Sequence, residues 1–151
     1  GEMIYMLKGI YVKLSVSWEF EAPEGGGDSH HSLFRGSRAH VVIRQGKEQD
    51  YRPQVYVEPA PGADAVVVAA SLKKAVDVLQ GKFPGLRAEK QQGDSWHILI
   101  PEECHIGHEA HFRKVMEAYL QYLADGRLPA WEVPNMLTKY YITTRALELA
   151  R

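Results

Sequence analysis

A single cysteine, Cys104, stands in the 151 residues. No internal disulfide can form, and no second thiolate exists with which to build a zinc knuckle. Charge of one sign is missing too: 18 Lys and Arg face 19 Asp and Glu, a formal net charge of −1. Without a positive field a polyanion gains nothing by counterion release, so nucleic acid is not an expected partner. Long apolar runs are absent as well. Ala63 to Leu72, the most apolar stretch, is interrupted by Asp64 and Ser71, and it falls far short of the roughly 20 residues that cross a bilayer. No membrane span is expected. The start, Gly1-Glu2, carries no basic region and no small-residue cleavage site; a cytoplasmic location is the expectation, with export of the full-length protein left open. Because Gly1-Glu2 leads straight into alternating residues, the sequence reads as a fragment excised from a longer protein.

What is present fits one domain over residues 1–151. At this length about 70% of the open chain's surface can be buried, enough to fold without staples. Val12, Leu14, Val16, Trp18 and Phe20 alternate with polar residues, the period of a strand with one buried face. Met3 to Lys8 reads as a shorter strand ending at Gly9. Ala22 to Asp28, with Pro23 and three glycines, cannot hold a ladder and predicts a mobile loop. His31 to Phe34 and Ala39 to Arg44, joined by Arg35-Gly36-Ser37-Arg38, predict a hairpin. Tyr51 to Glu58 predicts a further strand, and Pro53 places it at an edge.

From Asp64 the period becomes helical, with Ala65, Val68, Ala69, Leu72, Ala75, Val76 and Leu79 on one stripe and a stop at Gly81 and Pro84-Gly85. Leu86 to Lys90 and Ser95 to Ile100 predict a second hairpin, with Trp96, Ile98 and Ile100 buried. Two helices close the chain. One runs from about His108 to Ala124, with a core stripe from Phe112 to Leu123; the other carries Pro134 in its first turn and Leu137, Tyr140, Tyr141, Thr144 and Leu147 on one side. Strands in adjacent pairs and separate helices define an α+β fold, a mainly antiparallel sheet with helices packed on one face.

Chemistry gathers at histidine. His105, His108 and His111 follow in steps of three, and a zinc hydrolase would take ligands here with Asp28, His30 or His31 arriving from the glycine loop. The H-x-x-H spacing is unspecific and H-E-x-x-H is absent, so a helix entry lining a cleft is the plainer account. Asp28, Ser29, His30, His31 and Ser32 join ionisable and hydroxyl groups to a free backbone, a composition able to bind a polyol or relay a proton. Gly25 to Gly27 matches no G-x-G-x-x-G fingerprint, and no helix follows to receive a pyrophosphate. By itself this chain is expected to hold no nicotinamide cofactor. The aromatic residues Tyr119, Tyr122, Tyr140 and Tyr141 read as helix packing.

Several stretches together resemble a known family: Val16 to Gly25, Asp28-Ser29-His30-His31-Ser32 with Arg35-Gly36-Ser37, Val42 to Gly46, Gly107 to Phe112, and Leu128 to Met136. They are similar to the C-terminal domain of oxidoreductases in the glucose–fructose oxidoreductase / inositol dehydrogenase (Gfo/Idh/MocA) family, over nearly the whole chain. The resemblance implies a dihydrodipicolinate-reductase-like C-terminal domain, an upstream Rossmann domain that binds NAD or NADP in the parent protein, a sugar or polyol substrate, and a homo-oligomer formed through the sheet face. The family's E-K-P lysine and its D-x-x-x-H pair have no match here. Asp28, His30, His31, Arg35, His108 and His111 are therefore candidate substrate contacts, with no catalytic residue assigned. The expected function is a substrate-binding and oligomerisation domain, inactive alone. A stand-alone carbohydrate-binding or protein-interaction module is the alternative.

Overall fold

The computed structural model describes residues 1–18, 24–105 and 107–150. The chain is α+β, with antiparallel strand pairing throughout the described residues and three α-helices. Among the described residues there is no Rossmann domain. Internal contacts divide it into two units, Gly1–Phe20 with Gly107–Arg151, and Glu21–Ile106.

In the first unit, β1 (Glu2–Leu7) pairs with β2 (Ile10–Ser15). Lys8 and Gly9 between them both take positive φ, 49° and 79°, the twist of a two-residue hairpin turn. The long strand expected through Phe20 is shorter than its alternation suggested. β2 is paired with β1 from Ile10 to Ser15, and Val16 N–H bonds to the Gly1 carbonyl just beyond; alternation marks sidedness and not pairing. Glu19 and Phe20 lie outside the described residues. α2 (His108–Asp125) ends on Gly126, at φ 64°, whose N–H bonds back to Leu123 while Arg127 reaches Tyr122, so two orphan carbonyls are satisfied. α3 (Glu132–Leu149) has Pro134 in its first turn, as read.

The expected core stripes of both helices are exposed. Phe112, Met116, Tyr119 and Leu123 on α2, and Leu137, Tyr140, Tyr141 and Leu147 on α3, all stand more than half open. The half-buried positions are instead Ala118 and Tyr122 on α2 and Glu132, Ile142 and Ala146 on α3. At 100° per residue these sit away from the centre of each apolar stripe. Val12 is half-buried, while Leu14 and Val16 of the first strand are exposed.

The second unit holds a five-stranded sheet in the order β3-β4-β5-β7-β6. β3 (His30–Arg35) and β4 (Ala39–Gln45) form the expected hairpin. Its turn is tight: Gly36 N–H donates to the Ala39 carbonyl at 3.0 Å, and a Cβ on Gly36 would stand 2.6 Å from that oxygen. Gly36→Ala must push the turn open and is expected to cost about 1–3 kcal/mol, read as a lower urea midpoint. An unchanged midpoint would show that the turn yields freely.

β5 (Gln54–Pro59) lies between β4 and β7, not at an edge. Pro53 precedes the strand, so its missing N–H removes nothing from the ladder. α1 (Ala65–Leu79) starts at Asp64, whose carboxylate accepts from the N–H groups of Val66 at 2.8 Å and Val67 at 3.4 Å. Past its end, the Gln80 side chain accepts from Gly85 N–H and donates to the Leu86 carbonyl, pinning the turn into β6 (Arg87–Lys90). β7 (Trp96–Leu99) returns beside β5. α1 meets the sheet at β6, and the buried apolar side chains are Val42, Ala60, Val68, Val76, Leu86 and Trp96. All six belong to this unit.

Candidate functional site

Strand alternation sorts the five-stranded sheet into two faces. One carries Phe34, Val41, Ile43, Val55, Val57, Trp96, Ile98 and Ala88, of which Trp96 is buried and Phe34 and Val41 are exposed. The other carries His31, Leu33 and Arg35 from β3, His40, Val42 and Arg44 from β4, Gln54, Tyr56 and Glu58 from β5, and His97 from β7, as the registers require. This second face is polar and aromatic, and its groups are tied to one another. The Arg44 guanidinium lies 4.8 Å over the Tyr56 ring and bonds through Nη2 to the Glu58 carboxylate. Tyr56 stacks on His97 with centroids 4.9 Å apart and planes 20° from parallel. Its hydroxyl donates to Gln54 Oε1 at 2.7 Å. Stacking plus an ion pair holds Arg44 in a single geometry, which lowers the entropy lost when it meets a ligand.

Beside the face, a single 3-10 turn at Lys47–Gln49 folds against β4 and buries Gln49. Between this turn and the β6–β7 connection lies an open depression of about 450 Å³. A second one, about 350 Å³, lies along Arg52, Gln54, His97, Ile100, Glu102 and His105. The His40 Nδ1 atom is buried with no hydrogen-bond partner among the described residues.

The sequence candidates are placed as follows. His31 and Arg35 share the polar face, and four residues along one strand separate them by about 13 Å, so they can hold two ends of a ligand but not one atom together. His31 stands across from Arg44, and Arg35 across from His40. His30 points to the opposite face, where Nε2 lies 2.7 Å from Ser32 Oγ. Asp28 uses its backbone carbonyl to accept from Gln45 Nε2 at 2.9 Å. Gly27 packs so closely on Tyr51 that a Cβ there would meet the ring at 2.9 Å. The loop expected to be mobile over Ala22 to Asp28 is thus anchored at Gly27 and Asp28; Ala22 and Pro23 lie outside the described residues. His108 and His111 belong to the other unit, exposed on the first turns of α2, with the His108 ring 4.7 Å from Phe112. Among the described residues no three His, Cys, Asp or Glu side chains gather as a metal site.

Arg44, Tyr56, Glu58 and Gln49 were not singled out from sequence. The signal was there: His40-Val42-Arg44 and Gln54-Tyr56-Glu58 alternate in step, and antiparallel pairing sets such triplets side by side.

Fold and face together define an α+β domain with a polar sheet surface. The chain belongs to the family of putative oxidoreductase C-terminal domains, which matches it over residues 1–151. It is similar to the crystal structure of a putative oxidoreductase from Parabacteroides merdae ATCC 43184, with 45% identity and a TM-score of 0.94 over 99% of this chain and 34% of that one. The chain thus spans about a third of the length of the solved oxidoreductase it matches. No curated protein matches it.

Proposed function

We propose that the chain is the substrate-side and subunit-contact domain of an NAD(P)-dependent sugar or polyol oxidoreductase of the Gfo/Idh/MocA kind, inactive by itself. The carrying observation is that the whole chain matches the oxidoreductase C-terminal domain family and covers 34% of the solved putative oxidoreductase chain, while among the described residues no glycine-rich turn opens a helix. The fit of a dinucleotide to the described residues is poor. The α1 N-terminus, the end of a helix that attracts phosphate, is already filled by the Asp64 carboxylate, and α2 and α3 carry Glu109 and Glu132 in their first turns. The coenzyme's seat is assigned to an upstream Rossmann domain of the parent protein, and no hydride step is routed through this chain.

Its own contribution is to grip and orient hydroxyl groups. His31 and Arg35 on the polar face, with His30 on the opposite face and Asp28 just before it, are the groups offered for that role in one unit, and His108 and His111 on α2 are offered separately in the other. Held hydroxyls present one C–H bond in a fixed direction, which is where a protein adds most to cofactor chemistry. Subunit contact is assigned to a face of the sheet, where Phe34 of β3 and Val41 of β4 stand paired and exposed.

The test uses the parent protein. His31→Ala and Arg35→Ala should each raise KM for its sugar or polyol about 10-fold or more, the loss of one hydrogen bond to a charged group, with the KM for coenzyme unchanged. Unchanged sugar KM in both variants would remove the β3 face from the substrate side.

A further inference from the structure

We propose that the outward apolar faces of α2 and α3 dock on the upstream part of the parent polypeptide, the part assigned above to the coenzyme. The unit Gly1–Phe20 with Gly107–Arg151 holds, among its described residues, one hairpin, two α-helices and no buried side chain. A two-stranded hairpin is marginal by itself in water, and a helix draws most of its stability from packing an apolar face. Such a face is present on both helices and unused. On α2, Phe112, Val115, Met116, Tyr119, Leu120 and Leu123 fall within an arc of about 140° at 100° per residue, and each is more than half exposed. On α3, Leu137, Tyr140, Tyr141 and Leu147 share one side and are equally open. The cover each helix does have lies elsewhere on its circumference, at Ala118 and Tyr122 or at Ile142 and Ala146. Monomers seldom leave contiguous apolar surface of this extent in water.

Flanking charge is spent locally. Arg113 pairs with Glu117 and Arg145 with Glu148 within their own helices, so what the faces offer a partner is dry area, and the partner surface must be apolar as well. Length and attachment select the occupant. The solved oxidoreductase that shares this fold at 45% identity is about three times as long as the part this chain covers, so a covalent neighbour of ample size accompanies the fold there. Attachment favours such a neighbour over a second copy of this chain. The Gly1 amine donates to the Val16 carbonyl at 2.7 Å, and the Val16 N–H donates to the Gly1 carbonyl at 2.8 Å, which ties Gly1 into the hairpin. A segment joined at Gly1 therefore leaves from the same unit that carries α2 and α3. Tethering gives it an effective concentration on the order of millimolar, whereas a second copy has to find the faces from dilute solution.

This interface rests on the reading above only in needing a parent longer than the present chain. The test is amide hydrogen exchange read by mass spectrometry on the 151-residue chain and on the parent protein, each at a low and a high concentration. The result expected is that α2 and α3 exchange at least about 100-fold more slowly in the parent than in the 151-residue chain, and equally so at both concentrations. Leu123→Lys and Tyr140→Lys, at exposed positions, should leave the urea midpoint of the 151-residue chain unchanged. In the parent each should speed exchange of its helix at least about 10-fold, the loss of one buried apolar contact. Protection in the 151-residue chain that grows with concentration would assign the faces to a second copy, and protection there at every concentration would assign their cover to the chain itself; either overturns the proposal. Fast exchange in both proteins, or a mature protein of these residues alone, overturns it too. Coenzyme-dependent turnover of the parent is read separately: turnover with unprotected helices removes the interface and keeps the oxidoreductase reading, and protected helices without turnover do the reverse.

Discussion

Trp96→Ala is expected to lower the stability of the Glu21–Ile106 unit by about 3–5 kcal/mol, the usual cost of removing a buried aromatic side chain. The size follows from how few side chains the core has. Its other buried apolar members are Val42, Ala60, Val68, Val76 and Leu86, all smaller, so Trp96 supplies the largest single share of dry surface. It sits on β7 across from Val57 and Lys90, on the sheet side away from the polar face, with Ala88 and Ile98 on the same side. The cavity term adds to the transfer term. Urea unfolding followed by circular dichroism measures it. A loss under about 1.5 kcal/mol would show that the core is shared more evenly than its burial indicates. Trp96→Phe, which keeps an aromatic body, should lose clearly less.

Amide hydrogen exchange should be at least about a thousandfold faster in α2 and α3 than in β4 and β5, the gap between local and global opening. The cause is a difference in cover. β4 and β5 are paired on both sides and flank Val42, 2% exposed. α2 and α3 have no buried residue, and their apolar stripes face outward. An 18-residue helix without tertiary cover is marginal in water. Exchange read residue by residue by NMR separates the two sets. Equal protection would mean that the helices are held by more than their own backbone bonds and their narrow seams of Ala118, Tyr122, Ile142 and Ala146.

The same contrast explains what was legible in the sequence. The helix from Asp64 was readable because its cap and its period are local facts, and both are met. The Arg35-to-Arg38 hairpin was readable for the same reason. The long strand ends at Ser15 because alternation encodes which face a residue shares and not whether it is paired. Pro53 misplaced β5 because a proline one residue outside a strand constrains nothing within it. The stripes of α2 and α3 state that those faces are suited to burial, but not against what. At the site, the reading followed histidines along the chain. The polar face is set by register across strands, so Arg44, Tyr56, Glu58 and Gln49 come together only once β4, β5 and β7 are laid side by side.

The division of labour between reactant and coenzyme is tested most directly by titrating the 151-residue chain with NADH and with NADPH, watching energy transfer from its tryptophans to the nicotinamide. The account predicts no saturable signal below about 1 mM of either, because the α1 N-terminus is filled by Asp64 and, among the described residues, no glycine-rich turn opens a helix. Saturation in the micromolar range would contradict it.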